Sequence, residues 1–160
     1  MTKQEPVEVF TPPNMLKAKV GGGTSTSLDM AAIKRADEAL ATLKSEFGDW
    51  IAADVQTLAQ ACEAFAAEPA PNKQEDLFRA SHDLRGQART FEFPLVEHIA
   101  STLCRLLEAP GADKQVSLAE AHVNAIRIIV REKIKDRTNP TALTLAQELE
   151  KRVNEFVSQP

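Results

Sequence analysis

The sequence predicts an all-α protein built as an antiparallel helical bundle, and three observations carry that expectation. From Leu28 onward apolar residues recur with a helical period, and the breaks between periodic stretches fall at capping or helix-breaking residues. No stretch sustains the two-residue alternation of a strand. Short connections between amphipathic helices place successive helices side by side. The absence of an internal repeat of about 20 to 50 residues disfavours a solenoid.

Residues 1–27 are expected to form a flexible N-terminal tail, because Pro6, Pro12, Pro13 and the run Gly21-Gly22-Gly23 break regular structure. Val7, Val9, Phe10, Met15 and Leu16 give that tail apolar points with which to touch the domain or a partner. A first helix is expected over 28–47, with Ile33, Ala36, Leu40, Leu43 and Phe47 on one face. Gly48 is expected to end it. Asp49 then caps a second helix over 50–67, where Ile51, Val55, Leu58, Cys62 and Phe65 form one stripe. Pro69 and Pro71 close that segment. Asn72 with Glu75 has the pattern of a capping box for a third helix over 73–91. Phe91-Glu92-Phe93-Pro94 reads as a turn, and Pro94 suits the first position of a fourth helix that uses Leu95, Ile99, Leu103, Leu106 and Leu107. After Pro110-Gly111, Ser117 with Glu120 is a second capping pattern, for a fifth helix burying Ala119, Val123, Ile126 and Val130, whose start could lie several residues earlier. Asn139-Pro140 opens a sixth, with Leu145, Leu149, Val153 and Phe156 on one face. The expected organisation is a single helical domain over 28–160 with its bundle core at about 49–136.

With 160 residues, 43% of them hydrophobic, the chain is of single-domain size and able to bury a core. Its 19 basic and 23 acidic residues give a net charge of -4, without the bulk positive field of a nucleic-acid binder. No apolar run approaches the ~20 residues of a membrane helix, and the opening residues lack the apolar stretch of a secretory signal. A cytoplasmic protein is expected. Cys62 and Cys104 have no metal or disulfide spacing and read as reduced packing residues. A GxxxxGK[ST] loop, a Rossmann glycine fingerprint, a GxSxG elbow and an HExxH pair are all missing from the sequence.

The informative stretch is Ala80-Ser81-His82-Asp83-Leu84-Arg85-Gly86-Gln87-Ala88. At about 100° per residue, Leu77, Leu84, Ala88 and Phe91 cluster on one side of the third helix and His82 points nearly opposite. Arg79, Arg85 and Arg89 stand three before, three after and seven after His82, so their guanidinium groups share its face and make a local anion site. Gly86 lies one turn after His82 in mid-helix, where glycine costs about 1 kcal/mol relative to alanine. Its benefit there is clearance beside the imidazole. Phe78, one turn before, offers apolar contact area, with packing under the first helix or the tail as its bland alternative. An exposed neutral imidazole is a nucleophile. These residues describe a site that accepts a phosphoryl group from another protein.

At these residues the sequence resembles the histidine-containing phosphotransfer (HPt) family. The family's motif, loosely A-H-x-L-K-G-x-A on one helix of a four-helix bundle, reads here Ser81-His82-Asp83-Leu84-Arg85-Gly86-Gln87-Ala88. The resemblance implies an HPt-like antiparallel four-helix bundle with extra N- and C-terminal helices. It also implies that His82 is the phosphorylated residue, Arg85 takes the place of the usual lysine, and Gly86 is the clearance glycine. Two departures stand out. Many members place a glycine where the active-site helix ends, whereas this chain has Glu92, and arginine for lysine replaces a compact ammonium by a planar fork.

The expected function is that of a phosphoprotein in a two-component phosphorelay. His82 takes a phosphoryl group from receiver-domain aspartates, or from a sensor kinase through one, and gives it back. The receiver, as the resemblance implies, supplies magnesium and the catalytic acids. The chain itself is expected to need no cofactor and no metal, to make no nucleic-acid or membrane contact, and to be a monomer rather than an enzyme with its own nucleotide site. Two other readings stay open: a helical adaptor or degenerate HPt scaffold that binds a partner without transfer, and an enzyme using His82 as acid or base. His98 and His122 are expected to be structural, and Asp113, Glu148 and Glu150 to lie on solvated faces. The mixed run from Arg131 to Arg137 reads as a solvated helix end.

Overall fold

The structure is a computed structural model and describes residues 30–158. The tail expected over 1–27, with its apolar residues, lies outside the described residues. Among the described residues five α-helices follow one another: α1 Met30–Ala67, α2 Pro71–Thr90, α3 Pro94–Glu108, α4 Val116–Arg131 and α5 Pro140–Val157, with a short 3-10 turn at Ala112–Lys114. No strand occurs among the described residues, and none of their helices is long and apolar enough to cross a membrane. The chain divides into two compact units, residues 1–38 and 39–160. In the first unit, residues 30–38 are helical and exposed, with Lys34 and Glu38 paired at 3.9 Å.

In the second unit α3 is the central element. Nine of its 15 residues are buried, and it packs on α2, α4 and α5. The core joins Ile51, Leu58 and Phe65 of α1 to Leu77 and Leu84 of α2, then to Ile99 and Leu103 of α3 and Ile126 and Ile129 of α4. Each such side chain contributes about 1.5–3 kcal/mol on burial. Cys62 and Cys104 are buried free thiols.

The break expected at Gly48 does not occur. Helix α1 runs through Gly48 and Asp49 without interruption, so among the described residues one helix stands where two were expected. A glycine inside a helix costs only about 1 kcal/mol and keeps its backbone N–H and C=O, so it weakens a helix without ending it. Contacts on both sides favour continuity. The Phe47 ring lies tilted against Phe91 at 5.3 Å and against Trp50 at 5.5 Å between centroids, and Ile51 is fully buried.

Two of the expected caps also move. Helix α2 starts at Pro71, with Ala70 as N-cap, so Asn72 lies inside the helix and makes no capping bond. Proline is favoured at a first helical position because its missing N–H would have no partner there. Helix α4 starts at Val116, with Gln115 as N-cap, and Ser117 falls in its first turn. The start of α5 follows the sequence: the Ala142 N–H donates to Oδ1 of Asn139 at 3.0 Å, ahead of Pro140. Its buried stripe is rotated from the expected one, being Ala142, Ala146, Leu149 and Val153, while Leu145 is exposed. Those four belong to the same core cluster as α2, α3 and α4. The last helix therefore helps to build the core.

The end of α2 answers the missing glycine. Glu92 takes φ 63°, the left-handed conformation usually given to glycine, while Phe93 N–H donates to Ala88 O at 2.9 Å and Glu92 N–H to Arg89 O at 3.4 Å. These are the paired bonds of a Schellman ending, and burial of Phe93 and Ala88 supplies its apolar contact. The same ending recurs after α4, where Lys133 has φ 53° and Ile134 N–H donates to Ile129 O at 2.9 Å.

Candidate functional site

Helix α2 buries Leu77, Ser81, Leu84 and Ala88, a four-three-four spacing that turns one face to the core and leaves the other in water. Two hydrogen bonds hold it. Ser81 Oγ donates to Leu77 O at 2.7 Å, which satisfies a fully buried hydroxyl. Gln74 Nε2 donates to Leu107 O at 2.6 Å and ties the start of α2 to the end of α3.

His82 lies on the wet side, with 54% of its side chain exposed. The Phe78 ring stands beside it, 6.2 Å between centroids and tilted by 33°. Phe78 itself is half-buried, packed against the core on its other side. Gly86 is helical and exposed, and a Cβ built there would meet nothing within 4 Å. The glycine therefore relieves no clash among the described residues.

The three arginines are not equivalent. Arg79 is exposed and paired with Glu75 one turn earlier, so part of its charge is already answered within α2. Arg89 is exposed near the end of α2. Arg85 is half-buried. Cys104 of α3 feels its charge: burial pushes that thiol up to about 11, with Arg85 acting in the opposite direction. Among the described residues neither Arg85 nor Arg89 forms an ion pair.

Two carboxylates were not among the expected site residues. Asp83 Oδ1 lies 3.6 Å from His82 Nδ1. Asp54, on α1, has a buried Oδ2 with no hydrogen-bond partner, and burial raises its carboxyl above the ordinary 3.8, with the Asp83 charge adding to the rise. Asp83 was in view as the neighbour of His82. Asp54 carries no signal in the sequence, because its proximity to α2 is a tertiary contact.

The remaining histidines are structural in character. His122 is fully buried, its Nδ1 2.7 Å from Leu118 O, and burial lowers its pKa below 6.5. His98 Nε2 lies 3.2 Å from Glu150 Oε2, which links α3 to α5. Glu150 thus has a cross-helix partner instead of the purely solvated position expected for it, and Glu148 pairs with Arg152 at 2.9 Å. No group of three or more His, Cys, Asp or Glu able to hold a metal ion exists among the described residues. A cavity of about 450 Å³ walled by Phe47, Ile51, Phe91, Phe93, Val130 and Lys133 is separate from His82.

No curated protein and no solved structure matches the chain. The family model of the Hpt domain matches residues 42–151. That span begins before Gly48, contains all of α2, α3 and α4, and ends within α5, so it takes in the continuous part of α1 and most of the last helix together with the His82 segment. At well over half of the sequence, it makes the chain a member of the Hpt domain family.

Proposed function

We propose that the chain is a phosphorelay carrier in which His82 accepts a phosphoryl group from a receiver-domain aspartate and passes it to another. One observation carries this reading: an imidazole half in water on a rigid bundle helix, with open space over Gly86 one turn away. A receiver must bring a phosphoaspartate to the ring, and a bare backbone on that side admits it. Asp83 beside Nδ1 favours the tautomer protonated there, which leaves the Nε2 lone pair to attack phosphorus. The N–P bond forms as the aspartyl O–P bond breaks, and the carboxylate leaves on the receiver. Arg85 and Arg89 then face a phosphoryl group carrying about two negative charges.

The partners in this reading are response-regulator receivers and a sensor histidine kinase upstream, in the cytoplasm. The chain contributes neither nucleotide site nor metal; magnesium belongs to the receiver. Arg79, with Glu75 beside it, serves docking more than phosphoryl binding, and Phe78 supplies apolar area to the receiver.

The test is incubation with a panel of phosphorylated receivers. Label should move to the wild-type chain, be labile to acid and comparatively stable to base, and be lost in His82→Gln. Full labelling of His82→Gln overturns the reading, and so does labelling of the pure wild-type chain by ATP alone.

A further inference from the structure

We propose that the cavity of about 450 Å³ where α2 and α4 end is a binding site for a small carboxylate with an aromatic body. All of its lining residues fall between 47 and 135, within the second compact unit, and His82 is not among them. The site is therefore separate from the proposed phosphoacceptor.

Its walls are apolar. Ile51, Phe91, Phe93 and Val130 are buried, and the half-buried Phe47 lies tilted against Phe91 with 5.3 Å between centroids. Three phenyl rings around one cavity offer edges and faces to a fourth, the contacts that aromatic pairs favour. The volume is that of small-molecule sites, which are largely apolar with a few placed polar groups.

The charges select an anion. Arg131, Lys133 and Lys135 stand on the lining against one acid, Asp49. Glu132 pairs with Arg131 at 2.9 Å and Glu92 lies 3.7 Å from Lys135, but both glutamates are outside the lining, and exposed pairs of this kind hold weakly. Lys135 also reaches over the Phe93 ring, 5.1 Å from its centroid, so one residue joins the charge to the apolar wall. Lys133 forms no ion pair among the described residues, and a carboxylate at the cavity answers it first.

Two features of the chain favour an occupant. Gly48 lines the cavity in mid-helix, where glycine is less stable than alanine, yet an added Cβ there would meet nothing within 4 Å. Packing among the described residues has no need of the glycine, whereas an open cavity does. Lys133 takes φ 53°, a conformation in which glycine is the usual residue, and so keeps a charged side chain at the cavity where none is needed to end the helix.

The experiment titrates the full chain with ω-phenylbutanoate, its uncharged amide and the corresponding amine, read by calorimetry and by the emission of Trp50. Trp50 is the only tryptophan, there is no tyrosine, and its ring lies 5.5 Å from that of Phe47. The carboxylate should bind saturably, with a dissociation constant of about 1 mM or tighter for a ligand of its size. The amide should bind about tenfold more weakly, because its hydrogen bonds carry no charge, and the amine more weakly still. Gly48→Leu should melt at or above the wild-type temperature, accept label at His82 as the wild type does, and bind the carboxylate about tenfold more weakly or worse. Lys133→Gly suits the left-handed backbone, so it should keep its stability and lose most of the preference for carboxylate over amide.

No saturable binding of the carboxylate up to about 10 mM overturns the proposal, whatever then fills the cavity. An amine that binds as well as the carboxylate overturns it too, since Asp49 would then outweigh the three cations. A folded Gly48→Leu that binds like the wild type places the ligand elsewhere, and a Lys133→Gly that keeps the full preference removes the charge from the site; either result sinks it.

Discussion

Asp83 places a carboxylate oxygen 3.6 Å from Nδ1 of His82, so the proposed phosphoacceptor has a negative group for its immediate neighbour. At that separation the two groups form no hydrogen bond, and the carboxylate acts on the ring through its charge alone, favouring the tautomer protonated at Nδ1. In the phosphorylated protein it repels the new charge. Asp83→Asn should therefore lengthen the lifetime of the phosphohistidine by up to about fivefold, since charges this exposed interact by less than ~1 kcal/mol. The measurement is loss of label from the purified phosphoprotein. An unchanged lifetime would remove Asp83 from the site. The same variant should bring the Asp54 carboxyl closer to its ordinary 3.8, by removing the second cause of its rise, and carboxyl chemical shifts would record it.

Arg85 is expected to act through its charge. Arg85→Ala should slow transfer from subsaturating receiver about tenfold, whereas Arg85→Lys should keep most of the rate. Because the side chain is half-buried, alanine also removes packing by its stem, a loss of about 1 kcal/mol or less in stability. The Cys104 thiol gives a control independent of transfer. Arg85 counteracts the burial that pushes it to about 11, so alanine should push it higher and slow its reaction with thiol reagents at high pH. Transfer by the alanine variant at the wild-type rate would show that this charge neither steers the receiver nor holds the phosphoryl group.

Gly48 offers a test of the continuous α1. A Cβ there meets nothing within 4 Å, and the residue is helical. Gly48→Ala should raise stability by up to about 1 kcal/mol and leave transfer unchanged. A destabilised variant would mean that the chain needs a glycine conformation at 48, which is what a helix break at that point would require. Chemical denaturation compared with the wild type decides between the two.

Gly48 also shows where sequence reading fails. A glycine followed by an aspartate is a correct local signal for an end and a start, but the anchoring of Phe47 on Phe91 and of Ile51 in the core is tertiary. The Asn72 and Ser117 patterns misled in a smaller way, since Pro71 and Val116 begin their helices one residue before them. Asn139 succeeded because side chain, proline and apolar stripe agreed locally. The exposure of His82 and Gly86 was legible for the same reason, being fixed by helical rotation alone. The orphaned Asp54 oxygen and the half-burial of Arg85 depend on which helix lies alongside α2, and no periodicity encodes that.

His122 sets a pH dependence of stability. Its folded pKa lies below the ordinary 6.5 because burial disfavours the charged ring. Between the folded and unfolded values the unfolded chain binds the extra proton, so stability is complete above about 6.5 and falls with decreasing pH, by at most ~1.4 kcal/mol per unit. Asp54 acts in the opposite sense, since a raised carboxyl contributes stability that is lost as pH rises through its folded value. Comparing wild type with His122→Leu separates the two: the variant should lose the decline below 6.5 and keep the Asp54 contribution. Parallel profiles for the two proteins would exclude His122 as the cause.

The substitution that best separates packing from function is at Gly86. The residue is helical and exposed, and an added Cβ meets nothing within 4 Å, so packing among the described residues has no steric use for the missing side chain. Mid-helix glycine nevertheless costs about 1 kcal/mol relative to alanine. Gly86→Ala should therefore hold or gain up to that amount in stability. Gly86→Gln should fold equally well, since glutamine is a good helix former and the space around it is solvent. Its side chain would occupy the approach to His82 one turn away, where the receiver's phosphoaspartate must come. Transfer should fall in the order glycine, alanine, glutamine while melting temperature holds or rises. Measured against one phosphorylated receiver, a glutamine variant that folds and transfers at the wild-type rate would leave the open space over Gly86 without a function. A glutamine variant that unfolds would contradict the exposure of that face. Only a loss of transfer in a protein of undiminished stability agrees with a glycine kept for an incoming partner.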